Sequence, residues 1–380
     1  MTMKSMKYYL MSLLMGAIFA MSFTSCSDDK LGETIFPDEE DVLDPTSATY
    51  QLDKWLRDNY LKVYNLEFRY KMEDVGTNMN YNLVPATYEN SLDLAVLSKY
   101  LWFDVYGKIA GPDFLKMYGP RIIHIIGSPA YNPSSGSMIL GLAEGGIKVS
   151  LFRVNEMNVN DFGSMNEYYF KTMHHEFAHI LHQTKSYPVE FNTLSVGRYD
   201  ATNWTYRGDE VHSLGFVTAY ASDSYREDFA ETIANFIVLT DAQWARIYEL
   251  AARGWATTSS DDDLFATYYS FFYYSNNEVG EENINYIDES DVVRETDSEG
   301  VEQLYYRTQR DSNGNRIKVY PVPDTDGIDG VAIINKKIEI ARTWLRDEWG
   351  VDLDALRQEV QYRQQHYDMN ELRKQVTDIQ

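Results

Sequence analysis

The chain has 380 residues, a formal net charge of −24, 44% hydrophobic and 14% aromatic residues, and one cysteine. That is enough apolar chain for a sizeable core in one large domain or two small ones, and it excludes a largely disordered protein. The acid excess argues against a nucleic-acid binder and against electrostatic docking to anionic lipid, and a single cysteine rules out both a disulfide framework and a cysteine zinc cage.

Lys4 and Lys7 precede an apolar run from Tyr8 to Phe23, the layout of a secretory signal. The run is short for a permanent membrane span, which takes about 20 apolar residues. It ends in Phe23-Thr24-Ser25-Cys26, which resembles a bacterial lipobox and implies that Cys26 is the lipidated first residue of the mature chain. Ser27-Asp28-Asp29 after it resembles the surface-export signal of outer-membrane lipoproteins and implies a cell-surface location. Residues 1–25 are thus expected to be a signal peptide and 26–45 an acidic tether. Loss of the two lysines of residues 1–25 takes the charge from −24 to −26.

From about Thr46 the composition is globular, and 46–380 is expected to form one domain. The spacing predicts helices over 47–63 and 91–108, short strands over 66–72 and 121–126, and a strand pair within 138–154 divided by Gly145-Gly146. Helices follow over 165–183, 224–239 and 241–252. The acidic stretch 281–326 carries a hairpin signal around Ser312-Asn313-Gly314-Asn315 and reads as a β insertion. Two helices, 331–349 and 353–373, flank Gly350.

Four of the seven histidines lie within nine residues, His174 to His182. His175-Glu176-Phe177-Ala178-His179 fits H-E-x-x-H. On a helix, residues four apart share a face, so both imidazoles can reach one Zn2+ while Glu176 stands beside it to hold a water. Ser164-x-x-Glu167 reads as the capping box of this helix.

A catalytic zinc needs a third protein ligand and an open position. An extended H-E-x-x-H-x-x-G-x-x-H pattern is absent, since positions 182 and 185 are His and Lys. Glu227 and Glu231, four apart on the 224–239 helix, offer a ligand and an acceptor for a ligand's ring N–H. The same residues also allow a plain reading, with Ser224-x-x-Glu227 a capping box and Glu231 on a solvated face. His182 is about 10 Å along the axis from His175 and reads as packing or cleft lining. His174 points off the zinc face. His212 could line the cleft, and His124 and His366 are isolated.

These motifs resemble the gluzincin metallopeptidases. The local pattern is similar to the catalytic domain of anthrax lethal factor, where an H-E-F-G-H helix is followed by a tyrosine and, seven residues later, by E-F-F-A-E. Here Tyr220 precedes Glu227-Asp228-Phe229-Ala230-Glu231 by the same interval. The resemblance implies that Tyr220 stabilises an oxyanion, as a phenol can. Across the mature chain, Cys26, the block around 174–183 and the block 215–237 resemble the substrate import-associated zinc metallohydrolases, lipoproteins associated with outer-membrane importers.

The expected fold is α+β and zincin-like: a small sheet, the H-E-x-x-H helix and a helical second lobe. The expected activity is peptide hydrolysis with one Zn2+ held by His175, His179 and Glu227, with Glu176 as base, Tyr220 on the oxyanion and Glu231 orienting a ligand. Gly146 to Val154 is the expected partner strand for extended substrate. Expected partners are a peptide or protein substrate, a TonB-dependent importer with its lipoprotein, and the membrane through the lipid anchor. Three rivals remain: a zinc amidase of a non-protein bond, a non-catalytic importer subunit, and, on the aromatic content, a glycan-binding lipoprotein.

Overall fold

The computed structural model describes residues 43–379 apart from 73–82, 132–137, 140, 145–146, 255, 261–262, 271, 276–286 and 322–325. The signal peptide, Cys26 and the tether up to Val42 lie outside the described residues. Among the described residues no helix is long and apolar enough to cross a membrane.

Four short strands build the sheet behind the site: β1 (Glu67–Arg69), β2 (Ile122–Ile125), β3 (Gly141–Glu144) and β4 (Lys148–Leu151). Their spatial order is β1-β2-β4-β3. β1 runs parallel to β2 and β2 parallel to β4, while β3 is antiparallel to β4. Ile123, Ile125, Val149 and Leu151 are buried, as expected of inner strands covered by helices. This order corrects one expectation. Lys148–Leu151 bonds to a neighbour on both sides, so its backbone groups are already used. Among the described residues the outer strand on that side is Gly141–Glu144.

The H-E-x-x-H helix begins at Phe162–Met165, passes through a π-helical turn at Asn166–Phe170 and continues as Lys171–Thr184. Its cap is Asp161, whose carboxylate accepts from the Ser164 N–H at 3.1 Å, rather than the expected Ser164. Ile123 and Val149 of the sheet meet Met173 and Phe177 of this helix and Trp102 of the preceding helical stretch, Tyr88 to Ile109. Phe177 stands edge-on to Trp102 at 5.1 Å and to Tyr106 at 5.1 Å. Helix Tyr225–Val238 packs along the H-E-x-x-H helix on its other flank. Phe229 of that helix stacks on Tyr187 at 3.9 Å and meets Trp344 edge-on at 5.1 Å.

A five-stranded sheet gathers Phe272–Ser275, Ile287–Asp288, Val292–Thr296, Glu302–Arg310 and Arg316–Pro321. The expected hairpin is there, its turn held by the Asp311 carboxylate accepting from the N–H groups of Asn313 and Asn315. The sheet also recruits Phe272–Ser275, which precedes the expected 281–326 segment. Helix Gly330–Trp349 ends at Gly350, whose φ of +66° suits a glycine at that position. The expected single helix 353–373 is two, Leu353–Gln365 and Met369–Thr377. Asp368 restarts it by accepting from the N–H groups of Asn370 and Glu371. The chain is thus a mixed helix-and-sheet fold, as the α+β expectation states.

Candidate metal centre

His175 and His179 sit one turn apart on a helix whose apolar side is clamped between the sheet and its neighbours. That clamping fixes the rotation of the helix and turns both imidazoles toward helix Tyr225–Val238. Ser224 caps the second helix through the Glu227 N–H at 3.5 Å. The Glu227 carboxylate does not return to the cap. Its Oε2 lies 3.0 Å from His175 Nε2 and 3.1 Å from His179 Nε2. The two Nε2 atoms are themselves 3.0 Å apart. Among the described residues these three form the group that could hold a metal ion.

Hydrogen-bond accounting shows what this triangle is built for. Glu231 Oε1 lies 2.9 Å from His175 Nδ1, and the carboxylate's charge favours a proton on that nitrogen. His179 Nδ1 lies 2.8 Å from His182 Nε2 and donates to it when its own Nε2 serves as a ligand. Both Nε2 atoms then present lone pairs, and Glu227 Oε2 presents another. Three acceptors about 3 Å apart repel one another unless a cation or a proton lies between them. A tetrahedral zinc with bonds of about 2.0–2.1 Å sets its ligands about 3.3 Å apart. The donor set, two imidazoles and a carboxylate, and its spacing fit such an ion.

The electrostatics point the same way. Burial pushes the His175 imidazole down, but the Glu227 and Glu231 carboxylates outweigh burial and hold it well above the usual range. Burial pushes Glu227 up, and His175 and His179 bring it well below the usual carboxylate range. The pocket therefore favours positive charge.

Glu231 is buried and well anchored. Its Oε2 accepts from Thr218 Oγ1 at 2.7 Å and Asn235 Nδ2 at 3.1 Å, and Lys171 Nζ stands at 3.7 Å. Lys171 and the hydrogen bonds from His175 and Thr218 keep its carboxyl low despite burial. Glu231 therefore does not lie on a solvated face. Glu176 lines the same cleft, 8% exposed. Burial raises its carboxyl above the usual range, opposed by His175 and His179. Tyr220 also lines the cleft, its ring 5.7 Å from His175 and against Trp204 at 4.8 Å. Burial and the nearby Glu227 carboxylate raise its phenol, so it stays a hydrogen-bond donor. The cleft holds about 800 Å³ and is open to solvent along Tyr187, Val189 and Arg226.

A family model for putative zinc-binding metallo-peptidases matches residues 45–354. The chain belongs to this family. The crystal structure of a putative zinc-binding metallo-peptidase from Bacteroides caccae is similar, with 32% sequence identity and a TM-score of 0.57. The match covers 84% of this chain and 93% of that one. No curated protein matches.

Within this metallo-peptidase scaffold, the residues that support the three candidate ligands carried little signal in the sequence. His182 is half-buried, lines the cleft and touches His179, which follows from their i, i+3 spacing. Burial pushes its imidazole down to about 4, with the His179 charge adding to the effect, so it is a neutral acceptor. Thr218, Asn235 and Lys171 carried no signal that tied them to Glu231, except that Asn235 is one turn beyond it. His174 turns away and pairs with Tyr106 Oη at 3.1 Å. His212 is buried and donates to the Phe216 carbonyl at 2.9 Å, outside the cleft.

Proposed function

We propose that the protein is a zinc-dependent metallopeptidase, anchored by a lipid on Cys26 at the outer face of an outer membrane, where it serves a TonB-dependent nutrient importer. The observation that carries the enzymatic reading is the convergence of three lone-pair donors at 3.0–3.1 Å, with Glu176 beside them in an open cleft. A purely structural ion needs neither an adjacent base nor an open side.

In this reading His175, His179 and Glu227 hold one Zn2+, which supplies Lewis acidity toward a carbonyl and makes a water easier to deprotonate. Glu176 takes the proton from the attacking water and passes it to the leaving amine. Burial raises its carboxyl above the usual range, which helps it hold the proton between the two transfers. Tyr220 donates from its phenol to the developing oxyanion. Glu231 holds the His175 proton on Nδ1 and so keeps Nε2 aimed at the ion. Extended substrate would add to the outer strand Gly141–Glu144.

Metal binding tests the site directly. The wild type is expected to take up about one zinc per chain and Glu227→Ala to lose most of it, read by metal analysis after dialysis. Because Glu227 and Glu231 hold a proton on His175, zinc uptake near pH 7–8 is expected to release about one proton. Below the raised His175 pKa, apparent affinity then falls about tenfold per pH unit lost. Calorimetry in two buffers of different ionisation heat measures this. Zinc uptake that fails in the wild type sinks the reading. Uptake without proton release sinks the assigned ligand set.

The location rests on residues 1–29 alone. Cys26→Ala is expected to move the protein from the membrane fraction to a soluble one, and intact cells are expected to lose the wild type to added protease. Full protection from that protease would place it on the periplasmic side.

A further inference from the structure

The cleft extends past the three donors to a wall made by Tyr187, Val189, Tyr225 and Arg226. Arg226 is exposed, in the first turn of the helix that carries Glu227. Its guanidinium lies over the Tyr225 ring at 5.6 Å, and it lines the same cleft as its neighbour Glu227. Nearby cations are already engaged: Lys185 faces Glu348 and Lys336 faces Glu190. Arg226 has no acidic side chain within ion-pair distance among the described residues. It is also the only arginine or lysine that lines this cleft among them. The positive end of a 14-residue helix points the same way.

Arg121, Arg207, Arg307 and Arg310, which also lack an acidic partner among the described residues, donate to backbone carbonyls instead. An arginine left with its donors facing an open cleft, steadied by an aromatic ring, is poised for a carboxylate from outside. We infer that Arg226 is a specificity-determining residue that binds a carboxylate of the substrate a short, fixed distance from the scissile bond. The exposed rings of Tyr225 and the side chain of Val189 give the neighbouring apolar contact. The carboxylate comes either from an Asp or Glu side chain or from the free C-terminus of a peptide. The inference rests on the metallopeptidase reading and adds the substrate class.

A defined peptide library, cleaved by the zinc-loaded full chain and read by mass spectrometry, tests it. Wild-type cleavage is expected to cluster at one distance from a carboxylate. For a matched pair of peptides, acidic and neutral, the ratio of kcat/KM is expected to fall about 10- to 100-fold in Arg226→Gln and to favour Lys-bearing peptides in Arg226→Glu. Loss of preference on C-terminal amidation identifies the terminus, and loss on Glu→Gln exchange in the peptide identifies a side chain. The zinc-loaded Glu176→Gln protein, titrated with the same fluorescent peptide pair with and without Arg226→Gln, gives the same ratio as binding. Cleavage with no carboxylate preference, or a preference that Arg226→Gln leaves in place, overturns the inference alone. No cleavage by the zinc-loaded wild type, together with equal binding of acidic and neutral peptides, overturns it along with the metallopeptidase reading.

Discussion

Glu176→Gln is expected to lower kcat/KM about 10²- to 10⁴-fold while zinc content stays at its wild-type value and the unfolding midpoint stays at or above it. The exchange keeps the size and shape of the side chain and removes only its ability to take a proton. Among the described residues Glu176 makes no side-chain hydrogen bond or ion pair whose loss would turn this into a folding defect, and it lines the cleft. Burial, the largest influence on it, raises its pKa, so the native protein gives up some stability to keep a carboxylate there. A neutral amide relieves that cost. The same variant separates an enzyme from a zinc-stabilised assembly subunit, which has no use for a base. Retention of more than a tenth of wild-type turnover, with zinc bound, would remove Glu176 from the mechanism.

Lys337→Met is expected to destabilise the fold by about 3–5 kcal/mol, the usual cost of stranding one member of a buried ion pair. Lys337 and Asp228 are both fully buried, and their charged atoms are 2.6 Å apart. Lys337 also donates to the Gly215 carbonyl at 2.7 Å, and Tyr199 donates to Asp228 at 2.8 Å. Burial lowers the lysine and raises the aspartate, which shows how strongly this interior disfavours an unpaired charge. The double variant Lys337→Met with Asp228→Asn is expected to recover much of the loss, because the stranded carboxylate is gone. Denaturant midpoints of the two single variants and the double variant measure both effects. A cost under about 1 kcal/mol for Lys337→Met would show that water reaches Asp228. The pair has a bearing on the site as well. Asp228 follows Glu227, and Gly215 opens the segment that leads to Tyr220, so one ammonium ties the ligand helix to the loop that carries the phenol.

The candidate metal triangle was legible because its parts are local. His175 and His179 are one turn apart by helix geometry, and so are Glu227 and Glu231. What the spacing could not say was whether the two pairs meet. Glu227 had an equally local alternative in its Ser224 cap, and only the packing of the two helices turned its carboxylate to the imidazoles. The caps show the same limit. Ser164-x-x-Glu167 and Asp161 both suit a helix start, and the chain entering from Asn158 selected Asp161. The break at His366 came from Asp368, a cap that competes with continuation of the helix and wins where the next turn must change direction to pack Leu372 and Val376.

Periodicity, motif spacing and charge thus determined the helices, the family likeness, the donor residues and the acidic character of this chain. Each depends on covalent geometry or on residue type, and neither needs a distant partner. Strand order, the edge at Gly141–Glu144, the support of Glu231 by Thr218 and Lys171, the place of Arg226 in the cleft wall and the burial of Lys337 were decided by the tertiary structure. Those features arise from contacts between segments tens to hundreds of residues apart, where many pairings have similar local cost and only the packed core selects among them.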